Sequence, residues 1–431
     1  MTKAASQPFL GADELEEQNA GSAKRICGIK YDEMLWLAVF CVTGVGLGMS
    51  FEFMELHGGP ADGKSFFLCL IGYWSQTVLG GGYALWQAGW SPAKACKGAW
   101  TKPVLVMLFV SAGFDGLAQG LDYLGQTKGG YMLFTIFHAS VTFWSCLLAK
   151  FVLKARINKF QWGGIFMIAL GIFITSFPQP IEVPAAKCSG PGSCWGSNET
   201  KCEALGGGKQ CEYEPAGSFF WGLVFSVVGS ACLAASYPFS ELVFKRGEQE
   251  PAGPISEEMA CCAGSAINSV VYTIYTVAYT VPRWDELVTK HANPGEMGTL
   301  TWAYATYGIM VALHSLSFWM SVYKLGTVPT AVAKGAQQAG VFMFSHLIFC
   351  TPHSDPIDRH ECLDWNYGTK CNGPYSACGG SGLQDNEAAC GAVPECTYYA
   401  GTDWSHAQKS VALVMCLIGC AVYALNKNKK E

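Results

Sequence analysis

Asp115, Asp122, His138, His314 and Lys334 are ionisable residues set inside long apolar stretches of this chain. A charged group in hydrocarbon is costly unless it faces a partner or a water-filled cavity, so each is a candidate for handling a polar solute. Asp122 follows Asp115 by two helical turns, which puts both carboxylates on a similar face. That pair suits a cationic group or a coupling proton. Asp115 is the strongest candidate, and it could equally pair with a neighbouring polar residue to lock the fold. Lys334 is followed at i+3 and i+4 by Gln337 and Gln338, so all three can share one helical face. The lysine could attract a carboxylate or phosphate, or neutralise Asp115 across a cavity. His138 and His314 are imidazoles of the kind that titrate between pH 5 and 8; each could relay protons or sit as a hydrogen-bonded core residue.

Glu241, at the inner end of an apolar span, reads as a gate or interface charge, as do Glu52 and Glu55 at the outer end of another. Tyr73, Trp74 and Gln76, with Tyr237, could form aromatic cavity walls or simply pack and anchor helices. No catalytic constellation accompanies them. The chain has no Walker loop, no His-Glu-x-x-His and no nucleophile elbow, so neither an enzyme nor a cofactor is expected. No segment on the cytosolic side is long enough for a nucleotide-binding domain, which leaves gradients or exchange as the driving force.

The elements that must position these residues are apolar helices. Of 431 residues, 50% are hydrophobic and 14% charged, against about a quarter charged in soluble domains. Apolar runs of about 20 residues, enough for a helix to cross a bilayer, cover residues 34–54, 65–88, 103–124, 130–153 and 160–178, then 218–244, 258–281, 300–323, 326–350 and 408–425. The expected fold is therefore an all-α polytopic membrane protein with ten transmembrane helices. Residues 1–33 form a polar tail without a signal-peptide core. Lys94, Lys97, Lys102, Lys154, Arg156, Lys159, Lys245, Arg246, Lys427, Lys429 and Lys430 fall on one side, which the positive-inside rule makes cytosolic, together with both termini. A net charge of −5 gives no reason to expect a nucleic-acid partner.

Two long loops, 179–216 and 351–405, fall on the outer side. The first holds Cys188, Cys194, Cys202 and Cys211; the second holds Cys362, Cys371, Cys378, Cys390 and Cys396, with Cys350 at the preceding helix end. Even numbers among Gly, Pro, Asn and Ser suit disulfide staples in an oxidising compartment, with the pairing open. Zinc is the competing use, but the loops contain no CxxC pair. The acceptor sequon at Asn198 lies in the first loop, and glycosylation there agrees with its outer placement.

The domains expected are the tail 1–33, a first repeat 34–178, the loop 179–216, helices six to nine over 217–350, the loop 351–405, and the tenth helix with a basic tail over 406–431. Five helices per half force the second half to insert upside down, and such inverted repeats place a substrate site near the midplane. Gly125-Gln126-Thr127-Lys128 joins helices three and four tightly, as Gly326-Thr327-Val328-Pro329 joins eight and nine.

Gly120-Leu121-Asp122-Tyr123-Leu124-Gly125, then Phe151-Val152-Leu153-Lys154, then Gln161-Trp162-Gly163-Gly164 with Gly171, resemble the drug/metabolite transporter superfamily (EamA-like). Ala331 to Gln338 in helix nine repeats the idea, and Ser240-Glu241-Leu242-Val243-Phe244-Lys245 is similar to nucleotide-sugar-transporter-like members. The resemblance covers about residues 33–425 outside the cysteine loops and is nearest the chloroquine-resistance-transporter-like and nucleotide-sugar-transporter-like branches. It implies ten helices, cytosolic termini and disulfide-bonded lumenal segments. The chain lacks the Gly-Ala-Leu-Asn-Lys motif by which some nucleotide-sugar carriers hold their ligand.

The expected function is secondary active transport or exchange of a small polar metabolite by alternating access. The lean is toward an amino acid, peptide or amine, with proton coupling in view, in an endomembrane (vacuole, lysosome or Golgi-like) or the plasma membrane. Partners are the solute and the lipid bilayer. The alternative is a transport-silent scaffold or accessory subunit that engages a protein partner through its outer loops.

Overall fold

The computed structural model describes residues 25–26, 29–57, 59, 63–175, 187–189, 212–214, 219–289, 297–349, 370–372, 397–399 and 404–425. Among them, ten helices have twelve residues or more. They are α1 (Tyr31–Leu56), α2 (Phe67–Gln87), α3 (Lys102–Ala139), α4 (Val141–Val152) and α5 (Lys159–Thr175), followed by α6 (Phe219–Gly247), α7 (Glu257–Tyr275), α8 (Met297–Leu325), α9 (Thr327–Phe349) and α10 (Trp404–Leu425). Five segments are long and apolar enough to cross a membrane: Tyr31–Phe51, Lys102–Gln126, Phe220–Gly247, Glu257–Leu287 and Met297–Leu325. The protein is thus a helical membrane protein. Its outer surface fits that setting, because Val42, Val78, Phe166 and Ile274 are exposed and Trp86, Trp90, Trp100, Trp221 and Trp302 stand out near helix ends.

Every residue from Lys102 to Ala139 is helical, whereas the sequence places a turn at 125–128. The segment is nevertheless not straight. Asp122 Oδ2 and His138 Nδ1 lie 3.4 Å apart, while sixteen residues of straight helix would separate them by ~24 Å. The chain therefore doubles back between them, in the interval where the turn is expected. The fourth apolar span is divided at Ser140, where α4 begins. The seventh span also runs further than the hydropathy suggests. A π-helical turn at Thr276–Thr280 and a 3-10 turn at Val281–Arg283 carry α7 into a short helix ending at Leu287.

Helices meet through small residues, as expected where lipid offers no hydrophobic drive for association. The α3–α6 interface is the most extensive. There Gly229 seats Asp122 and Gly125 seats Ser226; a Cβ at either glycine would collide. On the α5–α10 interface the contact is reciprocal, with Gly164 against the Gly419 carbonyl and Gly419 against that of Gly164. Further, α1 packs on α8 and α9, α6 on α3 and α4, α2 on α7, and α4 on α9.

One end of the bundle is basic. There Gly98, after α2, meets the backbone at Gly253 and Pro254 after α6; Lys324 bonds Asp32 at 3.1 Å, and Lys245 bonds Glu241 at 2.7 Å. At the opposite end the hydroxyls of Tyr275 and Thr280 donate to the carbonyls of Lys64 and Ser65.

The described residues are not purely α. Three antiparallel ladders pair Arg25–Ile26 with Ile29–Lys30, Lys187–Ser189 with Glu212–Glu214, and Lys370–Asn372 with Thr397–Tyr399. The latter two lie in the cysteine loops and set Cys188 opposite Tyr213 and Cys371 opposite Tyr398. Cys194, Cys202, Cys211, Cys350, Cys362, Cys378, Cys390, Cys396 and Asn198 lie outside the described residues. Nine cysteines in or near the helices are free thiols.

Candidate functional site

A cavity of about 220 Å³ lies in the bundle, walled by α1, α2, α3, α6, α8 and α9. Asp115, Asp122 and His138 line it from α3, His314 from α8, and Lys334, Gln337 and Gln338 from α9; Gln76 and Tyr237 also reach it. The ionisable residues Asp115, Asp122, His138, His314 and Lys334 thus come together in one place. Helical spacing explains part of this: Lys334, Gln337 and Gln338 fall within one turn of α9 and all face inward.

Asp115 does not pair with Lys334 at contact distance. Its partner is Tyr73, whose hydroxyl donates to Asp115 Oδ2 at 2.7 Å. Tyr73 does not line the cavity but is buried behind it, stacked on Tyr272 with ring centroids 5.5 Å apart. It orients the carboxylate rather than forming a wall. Trp74, expected as a wall, is exposed on the outer face, with its indole N–H donating to Thr273 Oγ1 at 2.9 Å. Successive residues of α2 point in different directions, and only Gln76 of this set reaches the cavity, where its carbonyl accepts from Ser265 Oγ at 2.7 Å.

Asp122 is 4% exposed, and the 3.4 Å approach of His138 is electrostatic rather than a formed hydrogen bond. Asp122 Oδ1 has no hydrogen-bond partner. His314 is held more firmly. Its ring stacks on Phe40 with centroids 4.4 Å apart, and Nδ1 lies 3.1 Å from the Phe40 carbonyl. A carbonyl only accepts, so the ring donates to it through Nδ1–H.

Glu241 does not line the cavity. It seals the basic end instead, accepting from the Thr327 N–H at 2.6 Å and from Lys245 at 2.7 Å. Gly326, with φ of 86°, lets the chain turn from α8 into α9 in a conformation that side chains disfavour. Thr327 Oγ1 also donates to the Tyr237 carbonyl at 3.2 Å. The side chains of Glu52 and Glu55 lie outside the described residues.

Several wall residues escape a reading based on charge. Gln119, four residues after Asp115 and three before Asp122, is on the same face and was legible from that spacing. Two aromatic pairs bound the cavity toward its two ends. Phe51 on α1 meets Tyr123 on α3 with centroids 6.3 Å apart, and Tyr237 on α6 meets Phe318 on α8 at 4.7 Å. Tyr237 is among the expected walls, whereas nothing in the sequence context of Phe51, Tyr123 and Phe318 separates them from packing aromatics.

Pro238, inside α6, removes the N–H that would bond the Ala234 carbonyl. Ser145 Oγ of α4 donates to that carbonyl instead, at 3.5 Å, the kind of compensation a proline in a buried helix needs.

No protein family matches the chain, and no curated protein matches it. A solved structure carrying the description "Crystal structure of protein" is similar over 90% of this chain and 95% of its own, at 9% identity and a TM-score of 0.47.

Proposed function

We propose that this protein is a secondary transporter of a small polar solute that works by alternating access around the cavity walled by α1, α2, α3, α6, α8 and α9. The observation that carries the reading is that cavity. It gathers carboxylates, an ammonium, imidazoles and amides from both halves of an otherwise apolar bundle, and groups of this kind in a membrane mark solute pathways. At about 220 Å³ it is smaller than the roughly 300–1,000 Å³ of sites for drug-sized ligands, which favours a small metabolite over a nucleotide sugar.

In this reading the ten apolar spans are ten membrane crossings in two inverted five-helix repeats, the fourth made of the returning arm of α3 together with α4. The packing supports the pairing. Exchanging α1–α5 with α6–α10 turns the α1–α8 contact into α6–α3 and α1–α9 into α6–α4, while α2–α7, α4–α9 and α5–α10 map onto themselves. Departures from that symmetry describe the state of the transporter. α6 packs against α8 and α9 at the basic end, where Glu241 holds Thr327, whereas α1 makes only marginal contact with α3 and α4 among the described residues. The basic end is the closed gate and the α3 reversal the looser one. The drug/metabolite transporter superfamily is the family that this arrangement suits.

The basic end faces the cytosol, with both termini, and the cysteine loops lie outside or in a lumen, disulfide-bonded and glycosylated at Asn198. The even number of cysteines in each loop, with Cys350 counted in the second, supports an oxidising compartment on that side.

The test is uptake into liposomes containing the purified protein, screening pooled amino acids, amines, organic anions and nucleotide sugars with and without a pH gradient. Saturable uptake of one class is expected. Uptake equal to that of empty liposomes for every pool, from folded protein, would overturn the reading.

A further inference from the structure

We propose that Lys334, Gln337 and Gln338 form an anion-binding subsite on α9 that receives a carboxylate of the transported solute, so that the solute is a small zwitterion of the α-amino-acid type and not an amine lacking a carboxylate. The proposal rests on the transporter reading and narrows its substrate class.

Three features of α9 carry it. Lys334 is 8% exposed and lines the cavity, yet makes no hydrogen bond or ion pair with any described residue. Gln337 is 3% exposed, and its Oε1 has no hydrogen-bond partner. Gln338 lines the same cavity one residue on. A buried ammonium without a contacting anion is costly, and a solute carboxylate seated against it removes that cost. Gln337 lines the cavity beside Lys334, and its amide NH₂ is a donor suited to the same carboxylate. Gly44 makes room for this amide, since a Cβ there would collide with it.

The carboxylates of the protein do not fill this role. Asp115 is engaged by the Tyr73 hydroxyl at 2.7 Å, and Asp122 faces His138 at 3.4 Å. Both stand on α3; Asp122 acts on Lys334 through charge alone, without contact, and the two carboxylates suit the ammonium of a solute whose carboxylate lies on Lys334. Phosphate fits less well, because a dianion would meet two carboxylates with one lysine to offset it.

The test uses the full-length protein in liposomes. Uptake of radiolabelled alanine, serine, leucine, lysine and glutamate is measured against competition from the decarboxylated amine of each, the amide of each, and inorganic phosphate. Amino acids should compete, while amines and amides should not compete at equal concentration. Lys334→Met should raise KM by about tenfold or more and Lys334→Arg should restore much of it. Amines competing as well as amino acids would overturn the proposal on the wild-type protein alone, whether or not the variants fold. An unchanged KM in Lys334→Met would also overturn it. Phosphate as the Lys334-dependent competitor would overturn the carboxylate assignment while leaving a transporter. Uptake of amines only would likewise leave the transporter reading standing and sink this one. No uptake of any solute would overturn both.

Discussion

Glu241 on α6 accepts a 2.6 Å hydrogen bond from the backbone N–H of Thr327, the first residue of α9, and so ties α6 to the α8–α9 turn. Lys245, one turn on, holds the same carboxylate from the other side at 2.7 Å. The side chain of Glu241 is 16% exposed, so water screens the contact little. If the basic end opens during transport, this is a bond that must break.

Removing that latch should bias the protein toward opening at the basic end. A hydrogen bond to a charged group contributes about 1.5–3 kcal/mol, which shifts a two-state equilibrium by roughly 10–100-fold. In Glu241→Ala, a cysteine introduced at Ser236, which lines the cavity, should be labelled faster by a membrane-impermeant thiol reagent applied from the basic side. Equal labelling rates with and without Glu241 would remove it from the gate.

Ser145 and Pro238 should behave as a coupled pair. Ser145→Ala leaves the Ala234 carbonyl without its donor and should cost ~1–3 kcal/mol. Pro238→Ala supplies the missing N–H, so Ser145→Ala on that background should cost clearly less. Thermal melting of the four proteins in detergent measures the coupling. Additive losses would mean that Ser145 does not compensate the proline.

The α5–α10 contact leaves no space for a methyl group. A Cβ on Gly164 would sit 2.6 Å from the Gly419 carbonyl, and one on Gly419 would sit 2.7 Å from that of Gly164. Gly164→Ala or Gly419→Ala should destabilise by ~1–3 kcal/mol through overpacking, whereas Gly163→Ala, with open space around it, should leave the melting temperature unchanged. Indifference of all three would place the helices further apart.

The two cysteine loops repeat one another. Lys187-Cys188-Ser189-Gly190-Pro191 answers Lys370-Cys371-Asn372-Gly373-Pro374, and Cys211-Glu212-Tyr213 answers Cys396-Thr397-Tyr398. Equivalent strand pairing follows, with Cys188 opposite Tyr213 and Cys371 opposite Tyr398. Cys194 and Cys378, then Cys202 and Cys390, complete the correspondence, leaving Cys350 and Cys362 as the extra two. Peptide mapping without reduction should therefore show the same connectivity in both loops. Different partners for Cys188 and Cys371 would contradict it.

The placement of Asp115, Asp122, His138, His314 and Lys334 was legible because burying an ionisable group in an apolar helix leaves few destinations other than a shared polar cavity. Individual contacts were not legible. The sequence offers Lys334 as a partner for Asp115, but side-chain reach across helices favours Tyr73. Trp74 and Tyr73 differ by one position and so by about 100° around α2, which is why one faces outward and the other lies buried. The hairpin within α3 was expected from its glycines, and the contact of Asp122 with His138 is its consequence. Glu241 was legible as an end-of-helix charge, but capping of α9 depends on how α6 meets a turn some 85 residues away along the chain. The repeat of the cysteine loops was in the sequence throughout and is recognised only when both loops are aligned on their ladders.

The most direct measurement of the central claim is counterflow. Liposomes carrying the purified protein are loaded with unlabelled amino acids, diluted into a trace of labelled amino acid, and followed over time. An alternating-access carrier should accumulate label transiently above its equilibrium level, and Asp115→Asn protein of unchanged melting temperature should accumulate much less. Label that never exceeds equilibrium, with folded wild-type protein and with every solute class loaded in turn, would contradict the account.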